Sequence, residues 1–293
     1  MKEVNQMRQD AKVSIHRLSR AFQEPRSTVA RWCSAPRKKE GYLSRVCPVS
    51  GETSLRQRIQ DLCDEPRHRT FGHRRIRALL KKRFELVVNR KTVLKVMREL
   101  KLTRPKMWHR PWRPKRIEKV HATQLNEHWE IDMTSFQLSN LMPLFLVVVI
   151  DCCSREIVGY TLDHRCRAKE WVAALRQALE ARGLTSKAAA QSLKVRSDNG
   201  AQPCSKAFVE YLGASGATGE YTGYNAPDDN AYVERIMRTI KEEEIWPNLY
   251  DTFSEARSAI NEYVRWYNEE RIHSALDYQT PKEAAAKITL KAA

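Results

Sequence analysis

Apolar residues recur at helical spacing through roughly the first hundred positions and at strand spacing after about residue 125. The chain therefore divides into a helical front and an α/β rear. A first helical segment spans about Lys12 to Trp32, with Val13, Leu18 and Phe22 as its stripe. Pro25 breaks it, and Ser27 can cap a second helix carrying Val29, Ala30 and Arg31. Helix, tight turn and helix is the shape of a helix-turn-helix. The polar stretch from Ala35 to Thr53, with Pro36, Gly41, Pro48 and Gly51, reads as a linker. A second module follows, with stripes at Leu55, Ile59 and Leu62 and at Ile76, Leu79 and Leu80. Asn89 then caps a helix with Val93, Val96, Met97 and Leu100 turned inward. Arg90, Lys91, Lys95 and Arg98 fall on the other side, a face suited either to a nucleic-acid groove or simply to water.

The rear reads as strands at Trp129–Phe136, Leu144–Cys152 and Glu156–Leu162, a helix at Ala168–Arg182 and a strand at Ser192–Arg196. A helix at Lys206–Leu212, a strand at Thr218–Tyr221 and a long helix at Asn230–Trp246 follow. A last helix runs from Ser254 to Glu270, and the tail ends in Thr280-Pro281. Three strands, helix, strand, helix, strand, helix is the order of a ribonuclease H-like core with a mixed five-stranded sheet. The expected architecture is multidomain, with N-terminal all-α helix-turn-helix modules ahead of this α/β catalytic core. The boundaries expected are 1–52, 53–102, a basic linker at 103–124, the core at 125–248 and a helical extension at 249–293.

Charge sharpens this division. The 293 residues carry a net +17, but residues 1–124 hold 33 Lys and Arg against 11 Asp and Glu, and the remainder 19 against 24. A cationic front on a mildly acidic rear points to a polyanion partner. Seven dispersed cysteines show neither a C-x-x-C pair nor zinc-ligand spacing, so reduced core thiols are expected. No apolar run reaches the length of a membrane span, and the first residues lack a signal's apolar region; a soluble, intracellular protein is expected. Between the two halves, Arg104, Lys106, Trp108, Arg110, Trp112, Arg113, Lys115 and Arg116 alternate charge with indole rings. Prolines at 105, 111 and 114 forbid a regular helix there. The segment is either an extended strap along a phosphate backbone or an ordinary basic linker.

Three carboxylates carry the candidate chemistry. Asp132 lies within the first strand, Asp198 just past the fourth, and Glu234 in the first turns of the long helix, with 35 residues between it and Asp198. Strand ends and a helix that deliver three hard oxygen ligands suit a pair of metal ions engaged in phosphoryl transfer. Glu130 adds a fourth acid, directed either at this site or at solvent.

Trp129-Glu130-Ile131-Asp132-Met133-Thr134, Ser197-Asp198-Asn199-Gly200 and Asp229-Asn230-Ala231-Tyr232-Val233-Glu234-Arg235 resemble the catalytic signatures of DDE transposases of the insertion sequence 3 family, the OrfB-type product. These are similar to retroviral integrases. Trp266-Tyr267-Asn268 through Arg271-Ile272-His273, with Thr280-Pro281, is also characteristic, and Phe71-Gly72-His73-Arg74-Arg75-Ile76 resembles the start of a family DNA-binding segment. The resemblance implies that Asp132, Asp198 and Glu234 bind two Mg²⁺ or Mn²⁺ ions. It places Arg74, Arg75, Arg90, Lys91, Lys95, Arg98, Arg238 and Lys241, together with the strap residues, against DNA. His273 would reach a phosphate or make a structural hydrogen bond. Asn199 and Asn230 would orient ligands, and Trp129 and Trp171 belong to the core. The family departs from this chain at Pro203-Cys204, where its members often carry an aromatic residue. The implied activity is strand cleavage at element ends followed by strand transfer, by a homo-oligomer on paired double-stranded ends. A first-frame helix-turn-helix and leucine-zipper product would be a further partner. A DNA-binding regulator with an inactive catalytic half and a structure-selective nuclease of the same fold are the other readings.

Overall fold

The computed structural model describes residue 20 and residues 54–103, 122–222 and 230–292. The expected helices and linker before residue 54 and the strap residues 104–119 fall outside them. The chain divides into units at Met1–Thr53 and Ser54–Ala293, and the sheet and its helices belong to the second.

Three helices open this unit. In α1 (Leu55–Asp64), Ser54 Oγ accepts from Gln57 N at 3.2 Å. α2 (His73–Phe84) stops at Glu85, which takes the left-handed conformation with φ 55°. Asn89 Oδ1 opens α3 (Arg90–Glu99) by accepting from Lys91 N at 2.8 Å. Both side-chain caps satisfy amides that a helix start leaves without carbonyl partners. The buried positions Ile59, Leu62, Ile76, Leu79, Leu80, Val93 and Met97 are those of the apolar stripes.

The sheet contains β1 (His128–Gln137), β2 (Pro143–Asp151), β3 (Ile157–Asp163), β4 (Lys194–Ser197) and β5 (Thr218–Tyr221), ordered β3-β2-β1-β4-β5. β1, β2 and β3 pair antiparallel, whereas β1–β4 and β4–β5 are parallel. This is the mixed sheet of a ribonuclease H-like core. Alternation assigns its faces. Trp129, Ile131, Val147 and Val149 pack on one side with Trp171 and Leu175 of α4 (Ala168–Ala181). A four-residue helix, α5 (Lys187–Ala190), precedes β4, and Phe208 of α6 (Lys206–Ser215) completes that layer. Leu146, Val148 and Ile150 pack on the other side with Val233, Ile236 and Ile240 of α7 (Ala231–Ile240) and Ile260, Tyr263 and Tyr267 of α8 (Phe253–Glu269). The three front helices join this second layer in one apolar cluster.

The outer edge of β3 is partly covered by side chains. Asn268 accepts from Ile157 N at 3.0 Å and donates to Ile157 O at 2.9 Å, while Gln177 Oε1 accepts from Tyr160 N at 2.7 Å.

Two stretches depart from expectation. The long helix reaches its expected length, but beyond Ile240 it widens into a π turn over Lys241–Ile245. Thr280-Pro281, read as the end of the ordered tail, instead starts α9 (Pro281–Ala292). There Thr280 Oγ1 accepts from Glu283 N at 3.2 Å and Glu283 Oε2 accepts from Thr280 N at 3.0 Å. Proline suits the first turn because its missing amide proton would have had no helical partner.

The π turn delivers Glu243 and Glu244 to the interior. Arg271 donates to Glu243 through Nε at 2.7 Å and Nη2 at 2.8 Å. Tyr263 Oη donates at 3.0 Å and Thr70 Oγ1 at 2.9 Å, and Arg75 stands 3.7 Å away. Burial alone would raise the Glu243 carboxyl, yet the hydrogen bonds and charge of Arg271, with Thr70 and Arg75, hold it below the usual glutamate value. Arg67, beside α2, pairs with Glu244. His273 is neutral in this cationic surrounding: burial, then the charges of Arg271, Arg75 and Arg155, push it down to about 2, and it accepts from Arg271 at 3.1 Å. In this structure it makes the structural hydrogen bond rather than presenting a charge.

Replacing Glu243 by Ala leaves Arg271, only 3% exposed, without its carboxylate. We expect a loss of about 3–5 kcal/mol in urea unfolding, the usual consequence of stranding one partner of a buried pair.

Candidate active site

β1 and β4 run parallel at the centre of the sheet, and the α7 N-terminus lies against β1. Asp132 sits mid-strand on β1 opposite Val148, on the face that α7 covers, because Ile131 and Met133 turn to the α4 side. Its Oδ1 accepts from Met133 N at 2.7 Å. Asp198 follows β4 directly, and its Oδ1 accepts from Gly200 N at 3.2 Å, an interaction that fixes the turn. Glu234 stands in the first turn of α7 and, like Asp198, is exposed. The three share one electrostatic environment. Burial, followed by the charges of Asp198 and Glu234, pushes Asp132 up to about 6, while Lys241 acts in the opposite direction. Among the described residues, no three His, Cys, Asp or Glu side chains close into a cage tight enough to hold an ion. The carboxylates are gathered within electrostatic reach of one another without being closed. Their oxygen chemistry fits a hard dication, whose charge would offset the repulsion that raises Asp132.

Glu130, left open by the sequence, faces neither solvent nor the rim. It is 1% exposed, and Oε2 accepts from Tyr232 N at 2.9 Å and from Val233 N at 2.8 Å. Burial pushes its carboxyl up to about 7 against the effect of these two amides. Asn230, expected to orient a ligand, is buried at the α7 start, where its side chain makes no capping bond. Asn199 Nδ2 donates to Thr222 O at 2.6 Å, joining the turn after β4 to the end of β5. Asp151 is an organising acid that the sequence did not single out. Fully buried, it accepts from Asn126 N, Trp129 Nε1, Cys153 N, Ser154 N and Ser154 Oγ at 2.7–3.2 Å, locking the β2–β3 turn to the start of β1.

Known proteins resemble this chain along most of its length. Residues 122–223 and 215–281 match integrase core domain families, and residues 51–111 match an HTH-like domain. The chain is 30% identical to the insertion element IS407 uncharacterized 31.7 kDa protein of Burkholderia multivorans over 239 residues, covering 80% of this chain and 81% of that one. The chain belongs to the insertion sequence 3 family of transposases. It is 27% identical to the putative transposase InsK for insertion sequence element IS150 of Escherichia coli, over 97% of this chain and 96% of that one. Among solved structures it is similar to the HTLV-2 integrase catalytic core domain in complex with magnesium. That likeness has 20% identity and a TM-score of 0.43, over 56% of this chain and 99% of that one.

The front helices carry several of the cations expected on DNA. Arg90, Lys91, Lys95 and Arg98 are all exposed on α3. His73 is held below its usual value by burial, then by the charges of Arg90, Arg74 and Arg98, so these three arginines gather around one point. Arg75 is turned inward: its side chain is 21% exposed, lies over the Phe71 ring at 4.7 Å and faces Glu243. The physical reason is the π turn, which places a buried carboxylate opposite it. Arg238 donates to Glu242 at 2.8 Å on the helix surface. Arg74 also borders a groove of about 450 Å³ with Arg77, Lys81 and Lys82, cations that the sequence patterns do not single out. The strap residues expected on DNA, Arg104, Lys106, Trp108, Arg110, Trp112, Arg113, Lys115 and Arg116, lie outside the described residues.

The upward shift of the Asp132 carboxyl has a direct consequence for stability. Its value is 3.8 ordinarily and about 6 when folded, so the ionised form costs stability fully above pH 6 and progressively less as pH falls towards 4. Asp132→Asn should therefore stabilise the metal-free protein at pH 7 by roughly 1–3 kcal/mol and flatten its stability profile between pH 4 and 6. Chemical unfolding in a chelator across that range measures both.

Proposed function

We propose that this transposase, a polynucleotidyl transferase, works through Asp132, Asp198 and Glu234 as ligands for two Mg²⁺ or Mn²⁺ ions. The observation that supports this most is the electrostatic linkage of Asp132 to Asp198, Glu234 and Lys241 at the meeting point of β1, β4 and α7. When bound, the ions would polarise a phosphoryl oxygen and stabilise the attacking and departing oxygens of an in-line displacement. The chain's own contribution is to fix three carboxylates on rigid elements and set a lysine beside them. Lys241, one residue beyond α7, would steady the terminal phosphates of the element end. The first displacement, by water, frees a 3′-OH; the second uses that hydroxyl on target DNA.

The helical module would read the ends through Arg90, Lys91, Lys95 and Arg98 on α3, with Arg74 at its flank and the 104–116 strap continuing along the backbone. Two or more protomers would act on paired ends. A first-frame helix-turn-helix and zipper product would supply a dimerising element.

Strand transfer on labelled element-end duplexes with Mg²⁺ tests the triad. Asp198→Asn should lower joined product by roughly a hundredfold or more, since metal charge stabilisation is worth several kcal/mol. End binding that persists without any metal-dependent product in the parent protein would instead identify a DNA-binding regulator. Nicking without joining would identify a nuclease.

Paired substitution of Arg90 and Lys95 by Ala should weaken end binding and reduce the slope of log affinity against log salt by about 2 if both reach phosphates. Fluorescence anisotropy at several salt concentrations measures this.

A further inference from the structure

A helix start leaves its first amides without carbonyl partners, and the residue before the helix usually supplies a side-chain oxygen to the second or third of them. α7 departs from that local solution. Asn230 occupies the capping position, but its side chain accepts from neither amide, and its buried Oδ1 has no hydrogen-bond partner among the described residues. The second and third amides, Tyr232 N and Val233 N, both donate to Glu130 Oε2, at 2.9 and 2.8 Å. The acceptor comes from another element, about 100 residues earlier in the chain.

That element is β1, and the register matters. Glu130 and Asp132 are two residues apart on one strand and so share a face, about 7 Å apart along it. One carboxylate grips the first turn of α7 and the next belongs to the triad. The residue after the gripped amides is Glu234 itself. The grip is also packed from outside: Arg155 lies over the Tyr232 ring with its guanidinium carbon 3.4 Å from the centroid. Glu130 is itself only 1% exposed, so its oxygens are engaged within the fold rather than presented to the DNA side.

We propose that Glu130 is a positioning residue for the transposition reaction, clamping the start of α7 to β1 so that Glu234 is held at a fixed separation from Asp132. The role is one of reach. The side chain must be long enough to bridge strand and helix and must end in an oxygen that accepts two amides. A glutamine meets both requirements without the charge. An aspartate keeps the charge but is one methylene too short.

The inference rests on the triad reading, and the test separates the two. Glu130→Gln and Glu130→Asp are compared with the parent protein in two measurements. The first is amide hydrogen exchange at Tyr232 and Val233 in the full chain, free of metal and DNA. The second is the Mg²⁺ concentration giving half-maximal strand transfer, with end binding and thermal midpoint followed alongside. Glu130→Gln should resemble the parent in both. Glu130→Asp should exchange faster at the two amides and need roughly tenfold more Mg²⁺, the scale on which residues behind metal ligands act. The opposite order, with Asp tolerated and Gln impaired, would overturn the clamp in favour of a requirement for charge. Unchanged exchange and Mg²⁺ dependence in both variants would overturn it as well. Exchange is read without metal, so it decides whether the clamp exists even if Asp198→Asn retains activity and the triad reading fails.

Discussion

The carboxylate of Glu243 accepts from a guanidinium, a phenol and a hydroxyl that come from two widely separated stretches of chain. Arg271 follows α8, Tyr263 lies within it and Thr70 precedes α2. Such a pair adds little net stability, because desolvation consumes most of the attraction; its absence is costly because the surviving charge cannot be hydrated. Its contribution is geometrical. Any arrangement in which the front helices shift against the sheet must break several charge-assisted bonds together. With Arg67 on Glu244, the Glu243 network makes the path from α3, through the π turn, to Glu234 a continuous packed structure.

The site depends on that continuity from the other side. β1 is the central strand, and its two faces are differently committed. Trp129 and Ile131 anchor it in apolar packing, while Glu130 and Asp132 occupy the face towards α7. Placing two carboxylates there is unfavourable unless each has an offsetting partner. Glu130 has backbone amides. Asp132 has its own neighbour's amide and the field of Lys241, and its remaining imbalance is what a dication would relieve.

Much of this was legible in the sequence. Strand alternation and the helical stripes located every strand and the three front helices, because apolar periodicity is a direct record of burial. That Asp132, Asp198 and Glu234 come within electrostatic reach of one another was legible because each sits in a distinctive local pattern. The role of Glu130 was not: alternation says that it shares a side with Asp132, but only the tertiary fold says what stands opposite. Arg75 misleads for the same reason, since an arginine in a basic run reads as exposed until a buried carboxylate is found beside it. The π turn leaves the apolar pattern almost unchanged and is invisible to it. α9 is available to a closer reading, because Thr280-Pro281-Lys282-Glu283 is a capping sequence with proline in the first turn. There the proline marks a start rather than a stop.

The partial covering of β3 has a consequence for crowding. A free strand edge offers a row of donors and acceptors to any other chain that presents the same. Here Asn268 returns both main-chain groups of Ile157 as a neighbouring strand would, and Gln177 takes the amide of Tyr160. Copies brought close together on DNA therefore find these three main-chain groups already taken. Two amide side chains thus blunt the margin of the sheet at Ile157 and Tyr160.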